Sequence, residues 1–240
     1  SPTHGAAGCS TALPGQVTPG WCHGGNLNNG DARNTGFVWQ GRGISLKDGF
    51  LYLLNSSYGG IINKYNASTG AFIETLPNLS RTWVGGYQMA TDGTNFFTTD
   101  HERLLKVDDE GLLLGWMGKV ANSGGMSGSP GCDQLSTNDN TPGWCIGGTH
   151  KPGIGETSFK HVHGVAYDGA GSIVVASERF AMLRKFDTET GAYLGGFGLE
   201  DESPATWQNT RNSAAEYEGL ADGAYYGPRG MTSVGDYMYV

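Results

Sequence analysis

Apolar and polar positions change over in short runs along this chain, and the clearest series spans Phe159–Gly198. Gly164–Tyr167 leads into the turn Asp168–Gly171, then the β-branched run Ser172–Ser177. Met182–Phe186 follows, and after the turn Asp187–Gly191 comes a last run, Tyr193–Phe197. Runs of this length bounded by Asp, Gly and Thr turns predict four antiparallel strands in a meander. A single meander leaves two edges unpaired and half a core exposed, so it needs neighbours.

The same pattern supplies them. It begins again at Gly43, where Ile62-Asn-Lys-Tyr65 answers Leu183-Arg-Lys-Phe186 and Ser68-Thr-Gly-Ala-Phe72 answers Glu189-Thr-Gly-Ala-Tyr193. A third copy runs from Met89 to Gly118, and a fourth starts at Gly227-Pro-Arg-Gly-Met-Thr-Ser233 and reaches Tyr237-Met-Tyr-Val240. Repeats of ~40–50 residues with four strands each predict an all-β fold, a β-propeller of four-stranded antiparallel blades. A single domain over 1–240 is expected, with blades at about 37–76, 82–118, 159–198 and 225–240. Long insertions fill 1–36, 119–158 and 199–224, with a short helix expected at Ser213–Leu220. The fourth copy stops inside its second strand with an apolar edge. Such an edge invites pairing, so the native protein is expected to continue or a second chain to complete the sheet. Insertions between the outermost strand of one blade and the innermost of the next share one face, and are expected to form a rim or lid there, as a binding surface or a cap.

The cysteines are duplicated along with the strands. Cys9–Cys22 and Cys132–Cys145 have the same spacing, and each pair closes on the words Thr-Pro-Gly-Trp-Cys. Evenly paired cysteines with none left over predict two local disulfides and hence an oxidising compartment: secreted, cell-surface or periplasmic. The competing zinc site, using His23 beside Cys22, meets Ile146 at the equivalent place and lacks C-x-x-C spacing. Trp21 and Trp144 are expected to pack on their disulfides.

The words F-x-x-x-H-G-V-A-Y-D-G-x-G-S-I-V-V-A and L-R-K-F-D, with Y-G-P-R-G-M-T near the end, resemble NHL repeats, the blades of a mostly six-bladed propeller family. The resemblance covers all four copies and is weakest at Met89–Gly118, where Gln88 stands in the glycine position. It implies six blades in the whole protein and a role as a protein- or RNA-binding platform, an extracellular module or, less often, a lyase or hydrolase. The lyases of this group hold zinc on histidines that immediately precede the anchor of several innermost strands. His163 matches that position, whereas Arg42, Tyr87 and Arg229 occupy it in the other copies.

With Gly43, Gln88, Gly164 and Gly230 as anchors, Arg42, Tyr87, His163 and Arg229 are expected at one level of the channel, a donor-rich ring suited to a carboxylate, phosphate or sulfate. The bland alternative pairs the arginines with Glu156 or Asp222.

Composition narrows the partners. A net charge of −8 without a basic cluster argues against a nucleic-acid surface, and no apolar run is long enough to span a bilayer. The expected partner is a protein, a glycan or another copy of the chain. No G-x-S-x-G, H-E-x-x-H or P-loop occurs. No cofactor is expected; zinc at His163 and calcium at Asp133, Asn138 and Asp139 are the candidates otherwise. Asn55, Asn66 and Asn78 begin glycosylation sequons. The functional expectation is a non-catalytic extracellular binding or assembly module, with a channel-centred lyase or hydrolase, metal-dependent or not, as the alternative.

Overall fold

A computed structural model describes residues 4–13, 16, 18–23, 41–55, 60–76, 86–153, 155–177, 182–198 and 229–240. Strand β1 (His4–Gly5) pairs with β2 (Cys22–His23). The first blade is β3 (Gly41–Lys47), β4 (Phe50–Asn55), β5 (Ile61–Asn66) and β6 (Phe72–Thr75), in sequence order across the sheet. The second blade is β7 (Met89–Thr91), β8 (Phe96–Thr99), β9 (Leu104–Val107) and β10 (Leu113–Met117). Its following insertion adds β11 (Lys119–Asn122), β12 (Ser127–Gly128), β13 (Cys145–Ile146) and β14 (Thr149–Lys151). The third blade is β15 (Val162–Tyr167), β16 (Ser172–Ser177), β17 (Met182–Asp187) and β18 (Tyr193–Gly198), and β19 (Thr232–Val234) and β20 (Tyr237–Tyr239) form a last hairpin.

Local chemistry sets these strands. Asp48 and Gly49, both left-handed at φ 52 and 76, turn β3 into β4 as an Asp-Gly hairpin does. Asn66 Oδ1 accepts the N–H groups of Ser68 and Thr69, and Asp187 Oδ1 those of Glu189 and Thr190, so the Thr-Gly turns of two blades close alike.

The first strands of the blades touch in succession: β3 packs on β7, β7 on β15 and β15 on β19. Glycine makes the approach close. A Cβ on Gly43 would come within 2.7 Å of Met89 N, and one on Gly164 within 2.8 Å of Met231 Cγ. Apolar side chains fill the gaps between neighbouring sheets. Tyr52, Leu54 and Ile62 of the first blade meet Phe96, Leu105 and Trp116 of the second. Phe97 and Leu104 of the second meet Val165, Ile173 and Phe186 of the third. Blades covered on both sides lose their alternation, and every residue of β16 is buried. Four-stranded antiparallel sheets set face to face with their first strands innermost make this a β-propeller.

Gln88, in the glycine position of the second copy, has a job of its own. Its Oε1 accepts the N–H groups of Val165 (3.2 Å) and Met231 (3.1 Å), and its Nε2 donates to the Met231 carbonyl. One amide therefore ties the innermost strands of three successive blades.

Both expected disulfides are formed, with Cα atoms 5.6 Å apart in Cys9–Cys22 and 5.7 Å in Cys132–Cys145. The second insertion departs from a one-faced rim. Its β13 pairs with β10 through Cys145 and Trp116, so with β12 it extends the second blade to six strands. Its Trp144 then reaches the Asp187–Gly191 turn of the third blade, where Nε1 donates to the Thr188 carbonyl at 3.1 Å. That turn lies at the end of the meander opposite the one where the insertion enters β15, because successive antiparallel turns alternate ends. Trp21 corrects a second expectation: it is 53% exposed and docks on the Ala67–Gly70 turn of the first blade, donating to the Ala67 carbonyl.

Asn55 is fully buried, which removes it as a glycosylation acceptor, and Asn66 is engaged in its turn. Asn78, Asp222, the third insertion and the expected helix at Ser213–Leu220 lie outside the described residues. Among the described residues no helix is long and apolar enough to cross a membrane.

Candidate functional site

The upper end of the propeller is the end that carries the β8–β9 turn and the starts of β3 and β15. Innermost strands bring their first residues together there. The Arg42 guanidinium lies over the Tyr87 ring at 4.4 Å, and the Tyr87 and His163 ring centroids are 4.0 Å apart. Three of the four residues expected at one level thus form a continuous stack. The Arg229 carbonyl stands 3.0 Å from where a Cβ on Gly164 would be. Arg42 is exposed and has no carboxylate partner among the described residues. Glu156, the described acid offered for it, is exposed.

Repeat spacing did not point to His101 and His161. His101 sits on the β8–β9 turn, two residues after Thr99, and His161 lies just before β15. The turn is bent sharply enough to put His101 in the left-handed region at φ 68, and His161 is likewise left-handed at φ 55. Two bonds sew this turn to the third blade: the Val162 N–H donates to the His101 carbonyl at 2.9 Å, and Thr99 Oγ1 donates to the His163 carbonyl at 3.2 Å. The hydroxyl of Tyr87 lies 2.5 Å from His101 Nε2. One ring nitrogen from each of His101, His161 and His163 lies within 4.8 Å of the others. A histidine on a hairpin turn carries no signal of its own. The blade-to-blade contact that recruits it exists only in three dimensions.

Beside the cluster is a cavity of about 430 Å³, walled by Asp100, Glu102, His150 and Lys160 as well as His101 and His161. Burial pushes the Asp100 carboxyl up to about 6, partly opposed by Arg103, whose Nε donates to Asp100 Oδ2 at 2.8 Å. Asp100 Oδ1 has no hydrogen-bond partner among the described residues. Burial, helped by the Arg103 charge, lowers His150 to about 4, so it is neutral at physiological pH. Its Nε2 lies 3.6 Å from Glu102 Oε2. The wall thus offers the neutral imidazole of His150, the buried carboxyl of Asp100, the half-buried carboxyl of Glu102 and the Lys160 amine. In the second insertion two of the three calcium candidates are engaged with protein, Asn138 Oδ1 with Lys151 Nζ and Asp139 Oδ2 with the Ser136 N–H, and Asp133 is exposed.

No family model matches the chain, and no curated protein matches it. Solved structures do. A structural genomics protein of unknown function from Bacteroides thetaiotaomicron is similar over 81% of this chain and 42% of its own, at a TM-score of 0.50 and 15% identity. The WD40 domain of Pan2 from Neurospora crassa matches 65% of the chain and 38% of its own at 0.40 and 10% identity. U3-55K matches the same shares at 0.40 and 11% identity. The chain spans 38% to 42% of the length of these three proteins.

Proposed function

We propose that this chain is an NHL-type propeller working outside the cytoplasm, secreted, at the cell surface or in the periplasm, as a non-catalytic binding or assembly module. Its partner, a protein, a glycan or another copy of the chain, presents an anionic group to the upper rim. The observation that carries this reading is Arg42: an exposed guanidinium, fixed over the Tyr87 face and without a carboxylate partner among the described residues. A planar cation held in place offers paired donors to a carboxylate or sulfate while losing little rotamer freedom. The L-R-K-F-D and H-G-V-A-Y-D-G words support the NHL affiliation. Two disulfides support an oxidising compartment.

The test uses sodium malonate and sodium sulfate at constant ionic strength, with thermal unfolding as the readout. Both anions should raise the melting temperature of the natural chain, and Arg42→Ala should remove most of that rise while leaving circular dichroism unchanged. An equal rise in the variant would place anion binding elsewhere. A second reading, a channel-centred lyase or hydrolase, is favoured by one observation, the three clustered imidazoles beside a cavity. It calls for turnover, which the binding module lacks.

A further inference from the structure

We propose that His101, His161 and His163 form a binding site for a single transition-metal ion of the zinc class. The inference goes beyond the binding reading and needs no turnover. The three rings come from two blades, and their nearest nitrogens lie within 4.8 Å of one another. Two nitrogens bound at about 2.0–2.1 Å to a tetrahedral ion stand about 3.3 Å apart, so closure needs a shift of about 1.5 Å. Side-chain rotation of His101 on its turn and His161 on its loop can supply that shift. The main chain beneath them is fixed, since the His101 carbonyl is bonded to the N–H of Val162, the residue between the other two histidines.

The backbone at this spot is strained. Among the described residues four non-glycine residues have a left-handed φ, and two of them are His101 and His161. A left-handed backbone costs a side-chain-bearing residue roughly 1–2 kcal/mol, and such strain collects where a structure holds a ligand or catalytic group in place.

Ligand chemistry selects the ion. Calcium and magnesium want oxygen donors, and the three histidines supply nitrogen; imidazole suits zinc, copper, nickel and iron. The Tyr87 hydroxyl, 2.5 Å from His101 Nε2, is an outer-shell partner of the kind that orients a ligating ring. Three protein ligands leave a fourth position open. The cavity lined by His101 and His161 lies beside the cluster. This is not the zinc arrangement the NHL resemblance implies, for His163 alone stands on that position.

The experiment is calorimetric titration of zinc chloride into the metal-stripped full chain in a non-chelating buffer. One ion per chain is expected, and cobalt in its place should show the intense visible absorption of a tetrahedral site. His101→Asn and His161→Asn keep a residue type that tolerates the left-handed backbone. Each should weaken zinc binding by more than about tenfold, the loss that even outer-shell partners produce, with the circular dichroism of the natural chain. If His101→Asn fails to fold, His161→Asn decides alone. The rival site is the exposed pair His4 and His23, whose rings stack at 4.5 Å. The double variant His4→Ala, His23→Ala should keep full affinity. A natural chain that takes up no zinc overturns the proposal. So does binding unchanged in the His101 and His161 variants, or binding lost with the His4–His23 pair.

Discussion

The two disulfide loops are copies of each other in detail and differ in what surrounds them. In the first, β1 and β2 pair Gly5 with Cys22; in the second, β12 and β13 pair Gly128 with Cys145. Each cysteine turn starts on a left-handed glycine, Gly8 at φ 91 and Gly131 at φ 92. Cys9 N–H donates to Ala6 and Cys132 N–H to Ser129, both at 3.0 Å. The tryptophan of each loop donates Nε1 to the equivalent carbonyl of a blade turn, Ala67 in one case and Thr188 in the other, at 3.1 Å. Yet Trp21 is 53% exposed and Trp144 only 5%. Trp144 is wedged against Phe97 and under Lys106 of the second blade while it holds the third, and Trp116 lies across the strand pair from Cys145. A loop built from local rules alone thus becomes a clasp between blades in one place and a surface fitting in the other. Local geometry is inherited with the words; energetic weight comes from the neighbours.

The comparison is broken most severely at the tryptophans. Trp144→Ala should cost about 3–5 kcal/mol, as expected for a buried aromatic, whereas Trp21→Ala should cost about 1 kcal/mol, chiefly its hydrogen bond and partial burial. Urea unfolding midpoints separate the two, and equal losses would show that burial does not set the difference.

The disulfides come next. Loops of this size contribute roughly 3 kcal/mol in the chain-entropy model, so serine replacement of either pair should lower stability by a similar amount. The Cys132–Cys145 pair should lose more, because its strand also borders β10. Hydrogen exchange at the Trp116 amide should rise in that variant and stay unchanged when Cys9 and Cys22 are replaced.

Glycine in the docked turns gives a smaller contrast. Gly70 and Gly191 are left-handed at φ 73 and 76, and a Cβ on either would press on a tryptophan main-chain nitrogen, Trp21 at 2.7 Å or Trp144 at 2.9 Å. Gly191→Ala should cost about 2 kcal/mol or more and Gly70→Ala about 1 kcal/mol, since the exposed Trp21 can move aside. Thermal melts of the two single variants decide it.

The smallest effect is acid sensitivity. Asp187 and Asn66 cap equivalent turns, but only the carboxylate titrates. Hydrogen bonds from Thr190, its N–H first, hold the Asp187 carboxyl below the usual range. A depressed folded value means that this stability is present above the unfolded pKa and is lost as pH falls through the folded one. Acidification should therefore loosen the third blade's turn and leave the first blade's alone. Asp187→Asn should flatten that limb of the melting curve, and an unchanged pH profile would remove the role.

The strands were legible because a turn needs particular residues. Asp-Gly, Asn-Ala-Ser-Thr-Gly and Asp-Thr-Glu-Thr-Gly punctuate the chain where φ must turn positive or a side chain must cap the backbone. In the third blade the run Ser172–Ser177 matches β16, while the others were short by a residue or two, as at β15, expected from Gly164 and observed from Val162. The paired cysteines were legible for the same local reason. At the upper rim, Arg42, Tyr87 and His163 were found by repeat register, which marks equivalent positions on successive innermost strands. His101 and His161 were not, because neither stands at a repeated position and nothing in their flanking words marks them.

The sequence by itself determined the blades, their turns, both staples and the level at which Arg42, Tyr87 and His163 meet. Each of these follows from periodicity two, from turn chemistry or from a spacing carried by neighbouring residues. Only the tertiary structure decided that Gln88 would knit three innermost strands, that Trp144 would be buried while Trp21 stays exposed, that Asn55 would be closed to modification, and that three histidines would gather beside a cavity. Those facts depend on which blade lies against which. Contacts between blades join residues as far apart as Gln88 and Met231, a distance over which no local rule of the chain has any hold.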